Sequence, residues 1–188
     1  MSETHSFLTR RNAPATSATA GIAAALSVFG SITLAQQDRY TLKVPDGLAF
    51  SEIEGYDTWA DVAVSQTEGS VKSIQGNPAM IAAFKEGIPD NGKPFPEGTK
   101  AAKIEWVKKK NPVSPYFVEI PDTLKTVSFI EKDSNRFPNT HGWAFAQFDY
   151  DTESKTFKPS GTGSECGYAC HAQHVTSRDY IFTAYPPR

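Results

Sequence analysis

Lys100-Ala101-Ala102-Lys103-Ile104-Glu105-Trp106-Val107-Lys108 alternates between apolar and polar side chains. Successive side chains of an extended strand point to opposite faces. Ala102, Ile104 and Trp106 therefore share one face, and Lys103, Glu105 and Val107 share the other. The first set belongs in a core, while the second faces solvent or a bound group. The same strand signature recurs at 60–67, 124–131, 142–149 and 180–185, with aromatic and β-branched residues concentrated in the later segments. The fold class that follows is α+β: an antiparallel β-sheet with a few short helices.

Working outward, the best-marked helix begins just before this strand. Asn77 is a favourable N-cap, Pro78 occupies the first helical position, Met80, Ile81 and Phe84 share a face, and Gly87 follows the end. Residues 88–98, with Asp90-Asn91-Gly92 and Pro94-Phe95-Pro96, read as a loop. Residues 161–164 read as a flexible approach to the cysteines, and 169–177 as a short helix carrying them.

The chain has 188 residues, 39% hydrophobic and 12% aromatic, enough apolar material for one domain with a substantial core. Residues 1–35 read as a secretory signal: Arg10 and Arg11 give a positive start, 20–29 is a short apolar run, and Thr33-Leu34-Ala35 resembles a cleavage site. The run is too short to span about 30 Å of hydrocarbon, so no membrane association is expected after cleavage. Asn12-Ala13-Pro14 follows Arg10-Arg11 where twin-arginine export would require a large apolar pair, which favours ordinary export. The expected organisation is a signal peptide at 1–35, an extended lead-in at 36–45, and a single domain at 46–188 with its first core residues near Val44. Losing Glu3, Arg10 and Arg11 takes the formal charge from -2 to -3, and nothing recommends nucleic acid, which asks for a concentrated basic face.

Cleavage would leave both cysteines, His141, His171, His174 and one methionine, Met80. The cysteines stand in Cys166-Gly167-Tyr168-Ala169-Cys170-His171. Covalent haem attachment uses two thiols and a histidine in C-x-x-C-H; here the spacing is one residue longer. The extra residue adds at most about 3.8 Å of chain, which Gly167 would absorb through a positive φ. Two other readings stay open on these residues alone. A Cys166–Cys170 disulfide is sterically allowed, but leaves His171 unexplained. Zinc held by Cys166, Cys170, His171 and His174 is the third, although structural zinc sites usually separate their ligand pairs more widely.

Several stretches, in order along the chain, carry a likeness: Gly55-Tyr56-Asp57-Thr58-Trp59, Asn77-Pro78 with its helix, Glu97-Gly98-Thr99-Lys100-Ala101-Ala102-Lys103, Lys132-Asp133-Ser134-Asn135-Arg136-Phe137, Gly142-Trp143-Ala144-Phe145, and Asp179-Tyr180-Ile181-Phe182 after the cysteine motif. Together they resemble the cytochrome P-460 and cytochrome c′-β family of bacterial haem proteins, over roughly residues 46–185. The resemblance implies one haem c per chain, packed beside the sheet and attached through Cys166 and Cys170. It implies a five-coordinate iron with His171 as axial ligand, and a homodimer. In the hydroxylamine-oxidising branch a strand lysine forms an extra covalent link to the porphyrin, and Lys103 falls at that position. The same branch carries an arginine on the opposite side of the haem, where this chain has Lys72.

An iron with one protein ligand keeps a position for a small molecule, whereas an electron carrier usually fills both axial positions. The leading expectation is a periplasmic oxidoreductase that oxidises hydroxylamine or a related small nitrogen oxide and passes electrons to a periplasmic acceptor. One alternative is a nitric-oxide-binding module of the c′-β kind, with Phe84, Phe95 and Phe129 as an aromatic wall. The other is a small electron-transfer cytochrome, for which Met80 would be the sixth ligand; on the apolar face of its helix Met80 reads instead as core packing. His174 is expected at the surface or behind His171, and His141 in a turn.

Overall fold

A computed structural model describes residues 37–161 and 164–188, the side chains of 164–166 excepted. The expected signal peptide lies outside the described residues. Six strands form one antiparallel sheet in sequential order: β1 (Ala60–Gln66), β2 (Ser70–Gly76), β3 (Lys100–Lys110), β4 (Glu119–Lys132), β5 (Trp143–Asp151) and β6 (Thr156–Ser160). Among the described residues two α-helices accompany it, α1 (Pro78–Lys85) and α2 (Ser164–His174). The α+β expectation is met. Among the described residues no helix is long and apolar enough to cross a membrane.

Alternation gives the sheet two apolar faces. On one, Ala102 and Ile104 of β3, Val127 and Phe129 of β4, and Ala144, Ala146 and Phe148 of β5 pack against Leu48, Phe50, Ile53 and Tyr56 from the segment before β1. Phe50 is the hub, with the rings of Tyr40, Tyr56, Phe129, Phe148 and Phe157 at 4.9–6.1 Å. Edge-on and tilted ring pairs of this kind add about 0.5–1.5 kcal/mol each beyond their buried area. The lead-in belongs to this core: Arg39–Thr41 form a 3-10 turn, Tyr40 and Leu42 pack on the cluster, and Gln37 exchanges two hydrogen bonds with the backbone of Phe157.

The opposite face is covered by α1, α2 and the C-terminal tail, with Met80, Ala83 and Phe84 of α1 and Tyr180 and Ile181 of the tail buried against Val62, Ile74, Trp143 and Phe145. Helix α1 has the caps its sequence specifies: Asn77 Oδ1 accepts from the Met80 N–H at 3.0 Å, and Gly87 turns the chain with φ +85°. Asn77 also accepts from the Lys100 N–H at 3.1 Å and donates to the Gly98 carbonyl at 2.8 Å, tying α1 to the entrance of β3.

Three expectations need correction. Residues 180–185 form no strand; Asp179 and Tyr180 take positive φ values of 45° and 65°, and the tail crosses the sheet face instead of joining an edge. Helix α2 starts at Ser164, earlier than expected, so the cysteine motif lies inside it. Gly167 is helical and needs no positive φ. Its missing Cβ matters instead for packing, because a Cβ there would stand 2.5 Å from Phe145 Cβ. Strands β2 and β6 are additions.

Candidate functional site

The face beneath α1 and α2 carries a transverse row that crosses five strands. Ile74 of β2 pairs with Lys103 of β3, Lys103 with Ser128 of β4, Ser128 with Gln147 of β5, and Gln147 with Ser160 of β6. The neighbouring row runs through Ala101, Ile130 and Phe145. Both rows floor a cavity of about 390 Å³, completed by Met80 of α1, Gly167 and His171 of α2, and Ile181, Phe182 and Thr183 of the tail. That volume lies in the usual range for cofactor pockets, as does the composition, largely apolar with a few polar groups.

His171 enters from α2, wedged between the rings of Phe145 (centroids 4.7 Å) and Phe182 (4.8 Å). Its Nδ1 lies 2.6 Å from the Tyr180 carbonyl oxygen. A carbonyl only accepts, so Nδ1 carries the proton and Nε2 keeps its lone pair. Burial pushes the imidazole pKa down, the Tyr180 hydrogen bond opposes this, and the charge of Lys103 adds to the lowering. The ring is therefore held neutral in one tautomer, as a metal-ligating histidine requires.

Lys103 lines the same cavity. Burial lowers its pKa first, opposed by Glu105, while Lys72 and Lys125 lower it further. A half-desolvated amine of this kind is neutral, and nucleophilic, in a larger fraction than a surface lysine. Cys170 is an exposed, free thiol. On α2 positions 166 and 170 are one turn apart, on the same side of the helix. The C-x-x-x-C spacing is thus the helical i, i+4 spacing.

The structure does not place Lys72 in the cavity wall. It lies on the same sheet face one row along, with Nζ 3.9 Å from Glu105 Oε2. Glu105 is buried; burial opposes its ionisation, but hydrogen bonds from Lys125 and Ser70 and the charge of Lys72 hold its pKa below the ordinary value. Phe84 and Phe95 pack on each other at 5.2 Å outside the cavity lining; Phe129 borders the cavity, while its ring also packs on Phe50 at 5.3 Å. Of the three residues expected to form an aromatic wall, Phe129 borders the cavity and Phe84 and Phe95 do not. Met80 does line the cavity, but its Sδ is packed against Gly76, 3.1 Å from where a Cβ would stand. His174 is exposed, near Phe182, and His141 is an exposed turn residue whose Nδ1 lies 2.7 Å from the Tyr168 hydroxyl.

Ser128 and Gln147 had no signal in the sequence, being ordinary strand residues; their side chains meet at 3.2 Å on the cavity floor. The Tyr180 carbonyl had none either, because any residue supplies one.

An antiparallel sheet with an apolar cavity on one face, a half-buried imidazole at that cavity and a thiol on the same helix is an arrangement able to hold a prosthetic group with a metal. A family model described as cytochrome P460 matches residues 53–183. The chain belongs to the cytochrome P460 family, and its cofactor is accordingly haem. No curated protein matches the chain at a significant level. The residues present fit the group: the cavity is apolar, Nε2 of His171 is the nitrogen left for iron, and the cysteine positions of α2 share one side of the helix.

Proposed function

We propose that this is an exported, periplasmic protein with one haem c per chain, bound through Cys166 and Cys170 with His171 as axial ligand. It oxidises hydroxylamine or a related small nitrogen oxide and delivers the electrons to a periplasmic acceptor, acting as a homodimer. Bound haem supplies a redox-active iron with a position open to a small ligand. The chain's own residues do the rest. His171 holds the metal as a neutral imidazole, and the apolar walls from Ile74, Ala101, Ile130 and Phe145 limit water. Ser128 and Gln147 offer the polar contacts at which an N–O group is received.

The observation that carries this reading is Lys103, an amine of lowered pKa in the wall of the cavity that His171 enters. It is the residue with the position and protonation state suited to the extra porphyrin link of the hydroxylamine-oxidising branch. The test is turnover of hydroxylamine by holoprotein matured in a c-type system. Turnover by wild type and its loss in Lys103→Ala, with haem still attached, support the reading; intact haem without turnover in wild type removes the enzyme.

A further inference from the structure

Asp179 is a half-buried anchor, its side chain 13% exposed. Its carboxylate accepts from Lys132 Nζ (3.1 and 3.3 Å), from Trp143 Nε1 (3.3 Å) and from the Phe95 N–H (2.8 Å). Lys132 is itself buried, with its side chain 7% exposed, and Nζ also donates to the His141 carbonyl at 3.0 Å and stands over the Trp143 ring at 5.0 Å. Three parts of the chain, the end of β4, the start of β5 and the loop before β3, thus converge on one carboxylate.

The backbone there is unusual. Asp179 and Tyr180 are consecutive non-glycine residues at positive φ. Such strain persists only where the surroundings over-determine it, and it concentrates at functional sites. Here it turns the Tyr180 carbonyl back toward α2, where His171 Nδ1 meets it at 2.6 Å.

We infer that Lys132 and Asp179 are positioning residues for the axial histidine: the ion pair locks the strained turn, and the turn aims the carbonyl that fixes the imidazole's tautomer and basicity. This rests on the reading of His171 as axial ligand. Partners behind a metal-bound histidine raise its donor strength, and losing one typically costs about 10- to 100-fold in affinity or activity.

The test uses matured holoprotein with Asp179→Asn, which keeps an acceptor for Trp143 and Phe95, and Lys132→Gln, which keeps a donor. Asn77→Ala, on α1, serves as a destabilised control. The readouts are the iron–histidine stretching band of the ferrous form and the midpoint potential. Both site variants are expected to move the band to lower frequency and the potential upward, with Asn77→Ala leaving both unchanged, and Lys132→Arg is expected to restore part of the shift. A wild type without an iron–histidine band overturns the ligand assignment itself. A wild type with the band, and site variants that lose only thermal stability while band and potential stay put, overturn the positioning role.

Discussion

The Nδ1 of His171 and the carbonyl oxygen of Tyr180 are 2.6 Å apart and nine residues apart in sequence. This contact leaves Nε2 with its lone pair, and under the proposed ligation that is the nitrogen that would hold iron. His171→Gly should keep the haem on its thioethers, lose the axial band, and recover a histidine-like spectrum on adding imidazole. A variant spectrum identical to wild type would show that another group ligates.

Met80 should not be a ligand, because its sulfur is packed against Gly76, 3.1 Å from where a Cβ would stand. Met80→Leu conserves volume and is expected to cost under about 1.5 kcal/mol. Its ferrous spectrum and carbon monoxide affinity should match wild type. Loss of a six-coordinate signature in this variant would reverse the assignment and favour an electron carrier.

Gly167 lets α2 seat on β5. A methyl there would meet the Phe145 ring and Cβ at 2.5–2.9 Å. Gly167→Ala should cost about 1–3 kcal/mol, lowering the melting temperature by roughly 2–12 °C. Adding Phe145→Leu should return part of that loss in thermal denaturation. Two independent, additive losses would mean that the contact is not the cause.

Glu131 lies on the face away from the cavity, where burial raises its pKa against the lowering effect of Lys100. Lys100 Nζ stands 3.2 Å from Oε2, yet that oxygen has no well-formed hydrogen bond. A carboxyl with a raised folded pKa binds more protons folded than unfolded between 4.5 and that raised value. Its contribution is therefore present at low pH and lost as pH climbs through that window. Holoprotein unfolding in urea should show a weaker decline with pH in Glu131→Gln than in wild type. Equal slopes would contradict it.

What was legible in the sequence follows from the physics of each segment. Strand β3 and helix α1 were readable because alternation and caps are local signals, and both appear where expected. Strand β2 was not: Val71 and Ile74 are three apart and fall on opposite faces, so no period of two survives in a strand paired on both sides. Strand β6 carries Pro159, which argues against a strand until its place at the sheet edge is known. The tail after Asp179 mimics a strand in composition, but its direction is set by the ion pair with Lys132, 47 residues away. Within the site, Cys170 and His171 were nameable from residue type and order, and Lys103 through the family resemblance; the Ser128–Gln147 pair and the Tyr180 carbonyl depend on register and backbone direction, which composition does not encode.

Covalent haem attachment is tested most directly by the intact mass of the matured chain, read with its absorption spectrum. The polypeptide is expected to be heavier by one covalently held haem, coloured in proportion, with the addition lost when Cys166 and Cys170 are both replaced by serine. A colourless chain at the bare polypeptide mass, after expression with a working c-type maturation system, would contradict it.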